Sequence, residues 1–298
     1  MNARQDDGRL RRRILLFVST LVFAGPGCDL SRRVAKSASV EMMKNLSASV
    51  QRQPDPELVR QGLPTFVLLT DALLADSPND PELLLAATNA YADYCRAFVP
   101  ESDNSRAIRL YERAWEYGIR LLRQYEFFDQ TVDGPVEDYE LALEQFTVDD
   151  VPKMQAAAAA WLGWIVADDE SMEALAELPK ALALAERVLE LDESYGAGSS
   201  HLIFGLYFAV QPRGAGQDLD RSRNHFERAI ELAGPRNLLP KVLYAEYYGK
   251  ATLDEKFFTQ KLEEVLETDP KLYPENRLVN ELAQQRARHL LSSREDIF

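Results

Sequence analysis

Three histidines, two cysteines and many carboxylates are the residues of this 298-residue chain whose types could do chemistry. His201, His225 and His289 stand at spacings that match no metal motif, with no H-E-x-x-H, no C-x-x-C and no Cys/His pair at ligand spacing. GAGSS at 196–200 is not the G-x-S-x-G of a hydrolase elbow. GAGQDL at 214–219 lacks the third glycine and the preceding strand of a dinucleotide loop. Both read as loops between helices. The 48 Asp and Glu residues fall largely on amphipathic patterns, where carboxylates face water, so no pair of them is singled out for acid–base work. These residues predict neither an enzyme nor a metal or cofactor site.

One cysteine does carry a chemical expectation. Arg11, Arg12 and Arg13 form a positive stretch, Ile14 to Ala24 an apolar one, and Ala24-Gly25-Pro26-Gly27 a run of small residues before Cys28. This is the layout of an export signal, and its apolar run is shorter than the roughly 20 residues a bilayer span needs. A bacterial lipoprotein signal puts a cysteine directly after the cleavage site and acylates its thiol. Residues 1–27 then read as the signal peptide and Cys28 as the lipidated first residue. Gly25 stands where such a signal usually has leucine, and a plain secretory signal with an incidental cysteine is the other reading. Without residues 1–27, five Arg and two Asp are lost and the formal charge goes from -14 to -17. Cys95, in AYADYCRAF, would then have no disulfide partner and reads as a small buried apolar residue. A pI near 4.8 repels phosphate backbones, so nucleic acid is not an expected partner.

The elements that would position any site are helical. Residues 28–53 are polar and Ser-rich and read as a tether or first helix behind the acylated cysteine. From 54 to 298 the apolar spacing is that of helices, and no segment alternates as a strand. GLPTFVLLTDALLAD stops at SPNDP, where Asp80 is placed to cap and Pro81 to open the next helix. Four related octads follow: YERAWEYG at 111–118, AERVLELD at 185–192, FERAIELA at 226–233 and LEEVLETD at 262–269. In FERAIELA the residues Phe226, Ala229, Ile230 and Ala233 share one face. Separations near 37 residues, or twice that, belong to helix pairs that bury their apolar faces only against neighbours. WLG at 161–163 and FGLY at 204–207 echo tetratricopeptide positions. The fold class expected is all-α: degenerate tetratricopeptide-like helix-pair repeats in a compact superhelical bundle, with an acidic insertion at 124–150. That insertion has nine acids and no Lys or Arg. It reads as a solvated excursion, or, with Phe127, Phe128, Tyr139 and Phe146 exposed, as a lip for a partner.

Aromatic residues supply the candidate surfaces. In MQAAAAAWLGWIVA the small side chains either let two helices touch or leave a groove walled by Trp161 and Trp164. LYAEYY places Tyr244 and Tyr247 on one side of a helix. Either set is core, or lining for an apolar ligand together with Tyr91 and Tyr94.

The signal, YADYCRAF, RLYERAWEYGIRLL, AAAAAWLGWI, ELPKALALAERVLELDESYGAG, HFERAIELAGPRNLLPKVLYAEYY and LEEVLETDP with RLVNELAQQRARHLL together resemble the T-component (TatT) family of TRAP transporters. The resemblance runs from the signal to the C-terminus. It implies a periplasmic lipoprotein, lipid-anchored to the inner or outer membrane, that assembles as a homotrimer. It further implies docking to the solute-binding P subunit of a tripartite ATP-independent periplasmic transporter and a tunnel for a hydrophobic small ligand. Trp161, Trp164, Tyr91, Tyr94, Tyr244 and Tyr247 are the residues expected to line it. The alternative is a tetratricopeptide-type envelope scaffold lipoprotein with protein partners only.

Overall fold

A computed structural model describes residues 45–100, 102–214 and 216–298. The signal at 1–27, Cys28 and the tether as far as residue 44 lie outside the described residues. The chain divides into two units, Met1–Ser47 and Ala48–Phe298. Of the first, residues 45–47 are described, and they are helical. Every element below belongs to the second.

Among the described residues there is no strand, and the unit is a bundle of packed helices. Helix α1 (Pro56–Asp76) starts where the Asp55 carboxylate accepts from the backbone N–H groups of Glu57 and Leu58, at 3.0 and 3.2 Å. Helix α2 (Pro81–Phe98) starts as its sequence implies, with Asp80 accepting from Glu82 and Leu83 at 3.0 Å each and Pro81 in the first turn. Each cap satisfies donors that have no partner within the helix. Helix α3 (Asn104–Leu122) returns along α2 and carries YERAWEYG. Two short helices, α4 (Glu126–Asp129) and α5 (Val136–Leu143), precede α6 (Val151–Ala167), which lies against α3. After α7 (Met172–Ala176), helix α8 (Leu178–Leu191) carries AERVLELD and packs on α6. Helices α9 (Ser199–Val210) and α10 (Leu219–Ala233) form the next pair, with FERAIELA on α10. Helix α11 (Leu239–Leu243) continues as a π-helix through Tyr244–Gly249 and on to Thr252. Helix α12 (Glu255–Glu267) holds most of LEEVLETD and packs on the π-helix and on α13 (Arg277–Ser292), and α14 (Arg294–Ile297) ends the chain. Each octad thus begins in a helix packed against an earlier one.

Glycines and alanines set how close these helices come. A Cβ on Gly118 would meet the Ala157 Cα at 3.0 Å, so α3 and α6 touch backbone to backbone beside the alanine run. The small side chains of that run therefore serve helix contact. At Gly163 of WLG the ring of Tyr111, the first residue of its octad, fills the space a Cβ would need. At Gly205 of FGLY the ring of Phe226, the first residue of FERAIELA, does the same, with ring atoms 3.0 Å from that position. One packing device, an aromatic ring seated on a helix glycine, thus recurs in two parts of the fold.

The 124–150 segment corrects the expectation of a solvated excursion or a lip of exposed rings. Phe128, Val132, Tyr139, Leu143 and Phe146 are buried in the largest core cluster with Trp161 and Leu184, and Phe127 is half-buried against it. The aromatics point inward and the acids outward, a pattern that charge counting alone misses because the helices here are only 4 and 8 residues long. Arg123 secures the outside, pairing with Asp129 at 2.9 Å and Asp133 at 2.7 Å. From the far side Lys180, itself buried, donates to the Val132 carbonyl at 2.7 Å.

Helix α1 is long and apolar enough to cross a membrane by length and composition alone, and 22% of its apolar window is buried. Val59, Val67, Thr70 and Leu74 face the bundle. Leu58, Gly62, Thr65, Leu68, Leu69, Ala72 and Ala75 face out. Spacings of three and four residues along 58, 62, 65, 69 and 72 make that outer face a continuous seam.

Candidate functional site

The six residues expected to line a tunnel fall into separate places. Trp161 and Trp164 lie on α6 in the largest core cluster, with Trp115 of α3. The rings of Trp115 and Trp164 stack at 4.7 Å with planes 14° apart, and Trp115 lies 6.1 Å from Trp161. Tyr139 meets Trp161 edge-on at 6.4 Å. These are all three tryptophans of the chain. The indole N–H groups of Trp115 and Trp161 and the Tyr139 hydroxyl are buried and have no hydrogen-bond partner. Burial drives the Tyr139 hydroxyl far above its ordinary range, and the nearby Glu177 adds to this. Buried polar atoms usually have partners, so three orphans around one ring set are a local anomaly.

Tyr91 and Tyr94 leave α2 in different company. The hydroxyls of Tyr91 and Tyr117 both donate to Asp71 of α1, at 2.6 and 2.7 Å, tying three helices to one carboxylate. Burial, reinforced by Asp71, raises both hydroxyls, that of Tyr117 to about 12. The Tyr94 hydroxyl instead accepts from Arg106 at 3.0 Å, and its ring lies 5.9 Å from Phe98. Tyr244 and Tyr247 do come together. Both pack in a third cluster with Phe226, Tyr248 and Phe257, where Tyr244 stacks on Phe226 at 5.2 Å.

That third cluster sits on the π-helix, whose widened turn changes which side chains share a face. Its Glu246 is buried and accepts from Arg286 at 2.6 and 3.0 Å, with Lys250 at 3.5 Å. Arg223 donates to the Tyr248 hydroxyl, and Tyr244 donates to Glu227 at 3.3 Å. Nothing in LYAEYY announces the π-helix, since α and π turns use the same residue types.

Sequence spacing also conceals a histidine pair. His201 on α9 and His225 on α10 bring their Nδ1 atoms to 2.9 Å, and His201 Nε2 lies 3.2 Å from Glu193, which pairs with Arg228. If the His201 Nε2–H donates to Glu193, neutral His201 accepts at Nδ1 and His225 supplies the proton between them. Burial lowers His225 to about 4, helped by His201 and Arg221. Twenty-four residues apart, the two histidines meet because α9 and α10 are antiparallel neighbours. Among the described residues, no group of three or more His, Cys, Asp or Glu is arranged to hold a metal. Cys95 is a buried free thiol, pushed up to about 11 by burial, with its Sγ 3.7 Å from the Ala107 carbonyl.

A cleft of about 320 Å³ opens elsewhere, between the start of α1, the end of α2 and α13, lined by Pro56, Arg60, Phe98, Val99 and Leu282. None of the six aromatic candidates lines it.

Helices packed around buried aromatic clusters define an all-α protein. Within that class the chain belongs to the TRAP transporter T-component family, whose model matches residues 52–298. It is also similar to an uncharacterized protein of Treponema pallidum (strain Nichols), 25% identical over 311 residues that span 95% of this chain and 96% of the relative. Membership associates the chain with a TRAP transporter, with the other transporter components as partners and a periplasmic or membrane-associated location.

Proposed function

We propose that this T-component is anchored through acylated Cys28, assembles as a homotrimer, docks the solute-binding P subunit and holds an apolar solute for handover. The mechanism would be binding and release, driven by apolar area and shape, with no covalent step. The observation that carries the solute reading is the set of orphan polar atoms around Trp161. A solute with an apolar body and one acceptor group would satisfy an indole or phenol donor that otherwise has none. The outward seam of α1 supports self-association. A strongly acidic chain, of formal charge -17 once residues 1–27 are removed, meets a copy of itself most readily where it shows no charge, and the exposed α1 residues from 61 to 75 show none.

The scaffold reading, with protein partners only, is favoured by a different observation: Trp161, Trp164, Tyr91, Tyr94 and Tyr244 are all buried against other side chains. One titration separates the two. Because all three tryptophans share one cluster, fluorescence excited selectively at tryptophan reports on it alone. Saturable quenching or a spectral shift on adding dodecanoate, abolished in Trp161→Phe, supports a solute site. A flat titration with several long-chain carboxylates and neutral lipids supports the scaffold.

A further inference from the structure

The corner between α6 and α7 exposes apolar side chains in a stretch of chain rich in acids. Met172 and Val166 are the two most exposed large apolar residues described, at 79% and 74%, and Leu175 follows on the same short helix. The corner is tight. The Asp168 N–H bonds the Trp164 carbonyl and the Ser171 N–H bonds the Asp168 carbonyl, both at 2.9 Å, and the Ser171 hydroxyl caps the Ala174 N–H at 3.2 Å. Ala174 is fully buried in the tryptophan cluster, which turns Met172, Leu175 and Ala176 outward. Asp168, Asp169, Glu170, Glu173 and Glu177 flank them in sequence, Asp169, Glu170 and Glu173 exposed and Asp168 and Glu177 half-buried, and among the described residues none of the five is in an ion pair. The one base nearby in sequence, Lys180, is buried and committed to the Val132 carbonyl. Burial raises the Glu177 carboxyl, with Asp133 and Glu173 adding to the effect and Lys180 opposing it.

We infer that this corner is a docking surface for a basic segment with an apolar face on another protein. Charge complementarity selects that occupant. A second copy of this chain would bring the same five acids to meet them, and an anionic bilayer would be repelled likewise. A segment with Lys or Arg flanking Leu, Ile or Met would be steered by the acids and would cover Val166, Met172 and Leu175, the thioether adapting to its shape. The inference is independent of the solute reading and holds whichever protein supplies the segment.

The probe is a fluorescein-labelled 18-residue helical peptide of Leu and Lys, Leu on one face, with a Ser-for-Leu peptide of equal charge as control. Anisotropy is measured on the mature chain. The wild type should bind the Leu-bearing peptide about 10-fold more tightly than the control, and Val166→Ser/Met172→Ser should lose about 10-fold with its circular dichroism unchanged. Asp169→Asn/Glu170→Gln/Glu173→Gln should weaken binding and flatten its salt dependence, whereas Glu263→Gln/Glu267→Gln/Glu275→Gln, an equal charge change at exposed positions on and just beyond α12, should leave both intact. Equal losses from the two triple variants, or no loss from the serine pair, would reduce the effect to diffuse charge and overturn the proposal.

Discussion

Replacing Gly163 with alanine sets two effects against each other, and the structure decides which wins. In a helix interior alanine is favoured over glycine by about 1 kcal/mol, so propensity alone predicts a more stable protein. At this position the added Cβ would fall 2.3 Å from Cε1 and 2.5 Å from Cδ1 of Tyr111, well inside contact distance. The ring packs against the largest core cluster, so displacing it disturbs that packing. Overpacking of this kind costs about 1–3 kcal/mol, and a contact this short belongs at or above the upper end, leaving a net loss of about 2 kcal/mol. In a unit of roughly 250 residues that is a fall of about 4 °C in Tm. Guanidinium unfolding followed by tryptophan fluorescence and circular dichroism would measure it. The double variant Gly163→Ala/Tyr111→Leu separates clash from other causes. It should be less unstable than the sum of the two single changes by about 1 kcal/mol or more, because the ring that clashes is gone. A Gly163→Ala protein as stable as the wild type, or additivity in the cycle, would refute the ring-on-glycine account.

Three further outcomes follow from the same geometry. Trp164→Ala should cost about 3–5 kcal/mol by chemical denaturation, because its ring is buried and stacked on Trp115, and a cost under about 1 kcal/mol would mean the ring walls an open passage instead. Glu246→Gln should destabilise by about 1–3 kcal/mol, since Arg286 loses a buried acceptor in the π-helix while staying about one-third exposed itself; Glu246→Gln/Arg286→Met should recover part of the loss. His225 has a folded pKa near 4 against an ordinary value of 6.5, so the folded state takes up its proton later than the unfolded state. Its contribution is therefore complete above pH 6.5 and lost as pH falls toward 4, and His225→Phe should flatten the urea midpoint across that window while leaving the loss below pH 4 unchanged.

Much of the fold was legible because its signals are local. Asp80 followed by Pro81 marks a helix start wherever it occurs, and the spacing within FERAIELA permits only one buried face. Gly163 and Gly205 stood out as echoes of one position, and the structure gives the reason, a ring on each. What stayed hidden depends on which helices become neighbours. Tyr139 and Trp115 join Trp161 only once α5 and α3 are placed around α6, and no spacing relates residue 115 to 161. His201 and His225 match no motif because their contact is made across a helix hairpin. The acidic run at 124–150 misled because nine acids dominate its composition, while its six buried apolar residues sit on helices too short to show a period or in the turns that follow them. The aromatic candidates were visible by residue type, but type does not distinguish a core ring from a lining ring, and the structure distributes them over separate clusters.

The most direct test of the account is affinity purification of the natively expressed chain from solubilised membranes, with quantitative mass spectrometry of what accompanies it. Recovery of a TRAP-type solute-binding protein at near-equal abundance is the predicted result. Recovery of envelope-assembly proteins without any transporter component would contradict the docking role.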